Sequence, residues 1–197
     1  MKNQLIVAGH GGQGVLELGN YVAYLNLLRG KHVAYTPSYG PETRGGKVKC
    51  YVVTSDEEID SPIAEEPDYL IVMNIPSMDY VALLKSGGTL LMNSSLIPME
   101  TSRTDIDAMK VPATEIAVEL GNEPGRTQDT RILANSVMFG VYLAATLQEF
   151  DLNVIKSVFV HFLTDRKAAL IDMNVRAVKR GYDFARATEN PLVEYEG

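Results

Sequence analysis

Apolar residues follow two rhythms along this chain. Gln4-Leu5-Ile6-Val7-Ala8 is a short, nearly continuous apolar run that closes on glycine. That is the pattern of a strand buried on both faces of a parallel sheet. Val15, Leu18, Val22, Leu25 and Leu28 then recur at intervals of three and four, which predicts a helix stopped by Gly30. His32-Val33-Ala34-Tyr35 predicts a second strand broken by Pro37, and Lys47 to Thr54 alternates well enough for a third. The acidic stretch from Ser55 to Pro67 holds two prolines and reads as a surface connection.

Asp68 to Asn74 predicts another buried strand. The helix after it should start near Pro76, a favoured first-turn residue, and end at Gly87-Gly88. Thr89 to Asn93 is the next strand. Two strands that each end in asparagine fit the carboxyl edge of an open α/β sheet, where ligand crevices form. Beyond Val111 the spacing turns helical, over Ala113 to Leu120, Ile132 to Glu149, Leu152 to Phe162 and Lys167 to Ala187. Gly121 to Asp129 reads as a loop, and no linker separates the early strands from the late helices. The fold class expected is α/β, a Rossmann-like open, mostly parallel sheet flanked by helices with a helical C-terminal layer, in a single domain over residues 1–197.

Composition narrows the function. The 197 residues are 46% hydrophobic and 22% charged, which suits a folded globular chain. A net charge of −7 speaks against a nucleic-acid partner, because phosphate backbones demand a surplus of Lys and Arg. Apolar runs fall well short of the ~20 residues of a membrane span, and no leader pattern opens the chain, so a cytoplasmic protein is expected. The one cysteine, Cys50, precludes an internal disulfide or a multi-cysteine metal or iron–sulfur site in this chain. Its strand-like surroundings predict a buried or half-buried thiol rather than a reactive one.

The glycine turn Gly9-His10-Gly11-Gly12-Gln13-Gly14 matches G-x-G-x-x-G between a strand and a helix. Such a turn lets backbone approach a ligand closely, and the helix N-terminus offers N–H groups and partial positive charge to a phosphate. The same glycines could serve only tight packing of strand on helix, and the motif alone leaves both readings open. A dinucleotide site further demands an acid at the end of the second strand for the ribose hydroxyls. That strand ends Tyr35-Thr36-Pro37, with neither an acid nor a base for a 2′-phosphate. Hydride transfer with a nicotinamide is therefore demoted.

The densest polar cluster is the loop Ser38-Tyr39-Gly40-Pro41-Glu42-Thr43-Arg44-Gly45-Gly46. Arg44 has a planar fork suited to carboxylate or phosphate, and Glu42 can orient it or pair across an interface. An exposed hairpin loop with a local Glu42–Arg44 contact is the plainer alternative. His10, His32 and His161 lack metal-ligand spacing and read as structural. Met73, Met78, Met92, Met99, Met138 and Met173 follow apolar periodicities and read as core or interface. The acids from Asp56 to Asp60 read as solvated.

Taken together, the glycine turn and the Tyr39-Gly40-Pro41-Glu42 loop resemble the gamma subunit of 2-oxoacid:ferredoxin (acceptor) oxidoreductases. Asp68-Tyr69-Leu70-Ile71, Pro112 to Ala117, Gly121-Asn122, Asn135, and the ending Asn174-x-x-Ala177-x-x-x-Gly181-Tyr182 carry the resemblance through nearly the whole chain. Glu123 to Arg131 departs from it by extra length. That stretch reads as a surface loop and puts carry-over of Arg126 and Arg131 in doubt.

The resemblance implies a complex that decarboxylates a 2-oxoacid on thiamine diphosphate, passes electrons through iron–sulfur clusters to ferredoxin, and forms acyl-CoA. Thiamine diphosphate, Mg and the clusters would sit in alpha and beta chains and, where present, a ferredoxin-like delta chain. It implies coenzyme A held by this chain at Gly9, Gly11, Gly12, Gln13 and Gly14, with Tyr39, Gly40, Glu42, Arg44 and Gly45 facing it or the alpha chain. 2-Oxoglutarate is the first substrate expected, and the chain alone should be inactive. The rivals are an NAD(P)-dependent dehydrogenase and a stand-alone nucleotide or coenzyme A sensor.

Overall fold

The computed structural model describes residues 2–39, 46–122, 130–146, 148–163 and 168–189. Tertiary contacts divide the chain into two compact units, Met1–Val111 and Pro112–Gly197. The first holds strands β1 (Asn3–His10), β2 (His32–Tyr39), β3 (Lys47–Ser55), β4 (Tyr69–Val72), β5 (Thr89–Asn93) and β6 (Asp107–Val111). It also carries helix α1 (Val15–Leu28) and a 3-10 helix over Ile75–Leu83. The second unit holds α2 (Ala113–Gly121), a 3-10 turn at Arg131–Leu133, α3 (Ala134–Ala145), α4 (Leu152–Phe162) and α5 (Ala168–Glu189). The α/β class with a mostly parallel sheet and helices toward the C-terminus is therefore observed.

The six strands form one sheet in the order β2-β3-β1-β4-β5-β6. β1, β4, β5 and β6 pair in parallel, and β3 pairs antiparallel with both β1 and β2. β2 therefore runs in the same direction as β1, but one strand away. The β1–α1–β2 crossover leaves an open slot, and the chain turns back to fill it with β3. Pro37, read as a strand breaker, lies inside β2 opposite Cys50. β2 is an edge strand with ladder bonds on one side only, which is where proline is tolerated.

Two other differences have physical causes. The helix after β4 is a 3-10 helix ending at Leu83, not one running to Gly87. Arg103 Nη1 donates to the carbonyls of Val81 and Leu84 at its end, and Asp105 holds the guanidinium from the other side. β6 gave no apolar signal because it is an edge strand whose first four residues are exposed or half-buried.

One face of the sheet packs Ile6, Ala8, Leu70, Val72, Leu90 and Met92 against Val81 of the 3-10 helix, Leu84 just past its end, and Ile97. α1 packs against β1, β2 and β3. There Cys50 Sγ faces the Val15 carbonyl at 3.6 Å, and Tyr35 donates its hydroxyl to the Leu16 carbonyl at 3.2 Å. The thiol is fully buried, as expected. Among the methionines, Met73, Met92, Met138 and Met173 are buried, while Met99 is 43% exposed.

Burial pushes the Cys50 thiol and the Tyr21 phenol up to about 12 each. Both groups ionise at lower pH in the unfolded chain than in the folded one. Stability is therefore fully kept below about pH 9 and lost as pH climbs from there toward 12. Thermal melts at stepped alkaline pH should show the midpoint falling through that window. Cys50→Ala should flatten the lower part of the fall, and a profile unchanged by that substitution would contradict the assignment to the thiol.

In the second unit, α3 is buried along nearly its whole length and packs on α5. Ser136 Oγ donates to Asn174 Oδ1 at 2.6 Å, and Asn174 Nδ2 donates to the Leu170 carbonyl at 2.7 Å. A buried polar pair is thus satisfied inside an otherwise apolar seam. No helix among the described residues is long and apolar enough to cross a membrane.

Candidate ligand site at the carboxyl edge of the sheet

β1 ends at His10, and the chain must turn within four residues to start α1 at Val15. Gly12 (φ 97°) and Gly14 (φ 69°) both take left-handed backbone, which other residues adopt at a cost. Gly14 is the N-cap of α1 and supplies no side-chain cap. Gly11 and Gly12 are exposed, whereas Gly9 and Gly14 are buried.

The five glycine-turn positions do not all face outward. Gln13 folds its side chain back: Oε1 accepts the His10 N–H at 2.9 Å and Nε2 donates to the Met73 carbonyl at 3.1 Å. The Gln13 N–H itself bonds the His10 carbonyl at 3.2 Å. A Cβ on Gly9 would stand 2.7 Å from Gln13 Oε1 and 2.7 Å from Val15 Cγ2. Gly9 leaves room both for the folded glutamine and for Val15 at the start of α1. The packing reading of the glycines thus holds for Gly9, while Gly12 has nothing within 4 Å of the place a side chain would occupy.

The second loop arrives at the same edge because β2 runs parallel to β1. The Gly11 N–H donates to the Gly46 carbonyl at 3.3 Å, joining the two motifs directly. Tyr39, the last residue of β2, is 69% exposed there. Gly40, Glu42, Arg44 and Gly45 lie outside the described residues, as do residues 123–129, including Arg126.

Next to the turn lies a cavity of about 350 Å³ lined by His10, Lys47, Asn74, Ile75, Pro76 and Leu96. It sits where the connection after β1 leaves toward β2 and the connection after β4 leaves toward β5, the switch point at which open sheets form crevices. Asn74, one of the two strand-ending asparagines, caps the 3-10 helix by accepting the Ser77 N–H at 3.1 Å. Lys47 faces His10 across the β1–β3 ladder and pairs with Asp79 at 2.6 Å. Asn74 stands at the crevice that the two asparagine-ended strands predict, whereas Lys47 and the inward role of Gln13 were not foreseen. A lysine opening a strand carries no local signal of what stands across the ladder.

The topology also accounts for the missing acid. In a dinucleotide fold the strand beside β1 is the parallel second strand, whose end receives the ribose. Antiparallel β3 fills that place here, so an acid at the end of β2 would stand one strand too far away. His10 engages its own turn, with Nδ1 2.8 Å from the Gly11 carbonyl oxygen. No three His, Cys, Asp or Glu side chains among the described residues gather as metal ligands would.

An open parallel edge with a glycine turn, Gly46 bonded to that turn and an adjoining cavity defines an α/β unit of the class whose strand ends form crevices. The chain belongs to the pyruvate ferredoxin/flavodoxin oxidoreductase family, which it matches over residues 4–184. It is 38% identical over 181 residues to the ketoisovalerate oxidoreductase subunit VorA of Methanothermobacter thermautotrophicus, covering 91% of this chain and 36% of that protein. The chain thus spans about a third of that relative's length. To the 2-oxoglutarate synthase subunit KorC of Methanothermobacter marburgensis it is 38% identical over 154 residues, covering 74% of this chain and 78% of the subunit.

Two solved structures are similar throughout. The keto/oxoacid ferredoxin oxidoreductase gamma subunit of Geobacter sulfurreducens superposes with a TM-score of 0.73 at 27% identity, over 94% of this chain and 99% of that one. The 2-oxoglutarate:ferredoxin oxidoreductase of Magnetococcus marinus, solved with 2-oxoglutarate, coenzyme A and succinyl-CoA bound, shares the fold. Its TM-score is 0.82 at 19% identity, over 94% of this chain and 31% of that one.

Proposed function

We propose that this chain is the gamma component of a cytoplasmic 2-oxoacid:ferredoxin oxidoreductase complex and that its carboxyl edge holds coenzyme A. The observation that carries this reading is the Gly11–Gly46 bond, which gathers the glycine turn and the second loop on one edge beside a cavity. The edge suits a phosphate. Gly12 is open to approach, the start of α1 has no side-chain cap, and Lys47 brings a cation to the cavity wall. Coenzyme A when bound supplies the thiol that accepts the acyl group. In this reading the exposed Gly11 and Gly12 meet the ligand from the turn, and Tyr39, Gly40, Glu42, Arg44 and Gly45 are the residues of the second loop expected to bind with them.

Alpha and beta chains, with a ferredoxin-like chain where present, supply thiamine diphosphate, Mg and iron–sulfur clusters, and ferredoxin accepts the electrons. 2-Oxoglutarate is the first candidate substrate. Ketoisovalerate follows, since relatives named for each are equally identical to this chain.

The test is coenzyme A affinity of the assembled complex. Gly12→Val forces a β-branched residue into left-handed backbone, and Arg44→Ala removes the fork. Each should weaken coenzyme A by about tenfold or more, roughly 1.4 kcal/mol. Unchanged affinity in both variants would sink the reading. Purification from the native host separates the sensor alternative, because a sensor would run without alpha and beta chains.

A further inference from the structure

The glycine turn and the start of the 3-10 helix each contribute a wall of the cavity, one through His10 and the other through Asn74, Ile75 and Pro76. These walls spring from the ends of two parallel strands, β1 and β4. The β1–β4 ladder pairs Ala8 with Val72, and the Met73 N–H donates to the Ala8 carbonyl at 2.9 Å. Beyond that point no strand pairing holds the two backbones at a fixed separation.

Gln13 spans the gap. Its two amide atoms reach one backbone group on each wall, the His10 N–H through Oε1 and the Met73 carbonyl through Nε2. A primary amide offers an acceptor and a donor on one planar group at every pH. A carboxylate would turn a second acceptor toward the Met73 carbonyl, and an alkyl chain would leave both groups unbonded. Gly9 leaves room for this arrangement, since a Cβ there would meet Gln13 Oε1 as well as Val15 and Met73.

We propose that Gln13 is a positioning residue whose side chain sets the spacing of the two cavity walls and, through it, the fit of coenzyme A, without its amide touching the ligand. This rests on the coenzyme A reading above and reassigns one of its residues. The side chain acts through His10 and Met73, and the exposed Gly11 and Gly12 remain the part of the turn that meets the ligand.

The experiment uses the assembled complex and compares KM for coenzyme A with KM for the 2-oxoacid. Gln13→Ala should raise the coenzyme A KM about tenfold, from two lost hydrogen bonds, and leave the 2-oxoacid KM within about twofold. Gln13→Glu should show the same defect at neutral pH. As pH falls toward the carboxyl pKa, about 4.3 before any perturbation, a neutral acid regains a donor toward the Met73 carbonyl. The ratio of variant to wild-type coenzyme A KM should then fall back toward one.

A merely structural role would lower the melting temperature and leave both KM values and their pH dependence unmoved. An unchanged coenzyme A KM in folded Gln13→Ala overturns the inference. If Gly12→Val weakens coenzyme A while Gln13→Ala does not, the inference alone fails. If Gly12→Val and Arg44→Ala also leave coenzyme A affinity unchanged, the coenzyme A reading has failed with it.

Discussion

Gly140→Ala is expected to be among the most destabilising single-methyl additions in this protein, and Gly181→Ala should nearly equal it. Both glycines lie inside long helices, α3 and α5. Helix propensity alone would make either change favourable by about 1 kcal/mol. Packing reverses the sign. A Cβ on Gly140 would overlap the Val178 carbonyl oxygen and stand 2.8 Å from the Tyr182 nitrogen. A Cβ on Gly181 would overlap the Val137 carbonyl oxygen and stand 2.8 Å from the carbon of that carbonyl.

Those neighbours are helix backbone, which cannot rotate away as a side-chain tip can, so the two helices must part along their seam. Overpacking of this kind costs about 3 kcal/mol or more, well above the propensity gain. Net of the propensity gain, about 2 kcal/mol or more is lost, so at roughly 2–4 °C per kcal/mol a thermal melt should fall by about 4–8 °C or more for each variant. The double variant should cost clearly less than the sum, because helices already forced apart by one methyl admit the second. A Gly140→Ala protein melting at or above the parent temperature would refute the close approach.

Gly19→Ala poses the same contest in the first unit, with a built-in rescue. Gly19 lies in the middle of α1, where propensity again favours alanine by about 1 kcal/mol. A Cβ there would overlap Cys50 Sγ and come within 2.9 Å of Tyr35 Cε2. Cys50 is fully buried in β3 and has no room to withdraw, so the expected net loss is about 2 kcal/mol. Removing the sulfur removes the nearer of the two obstacles, since the Cys50 Cβ lies at 3.6 Å from the added methyl, an ordinary contact, and only Tyr35 Cε2 at 2.9 Å then has to shift. The pair Gly19→Ala with Cys50→Ala should therefore be more stable than Gly19→Ala alone. Denaturant titration of the two single variants and the double closes the cycle. A coupling energy near zero would mean that sulfur and methyl do not compete for this space.

These effects locate what the linear pattern could and could not express. The run Leu5 to Ala8, the three-and-four spacing from Val15 to Leu28, and the run Leu90 to Met92 announced β1, α1 and β5 because buried elements repeat apolar residues with their own period. The long C-terminal helices were equally legible. β6 was not, because an edge strand with exposed side chains writes no such period. Pro37 misled for a related reason: what a proline costs in a strand depends on which side of the strand is paired, and pairing is not local.

The candidate site divides along the same line. The sequence by itself determined that a glycine turn would follow β1 into a helix, that a second glycine loop would follow β2, and that no acid stands ready for a ribose. These are facts of residue type and order. Only the tertiary structure decided that β3 enters antiparallel beside β1, that Gly11 bonds Gly46, and that Gln13 turns inward to tie β1 to β4 while Gly9 makes room for it. Each of those is a contact between residues far apart in the chain or a direction taken by one side chain. Neither leaves a periodic trace in the sequence, because both are fixed by what packs against them.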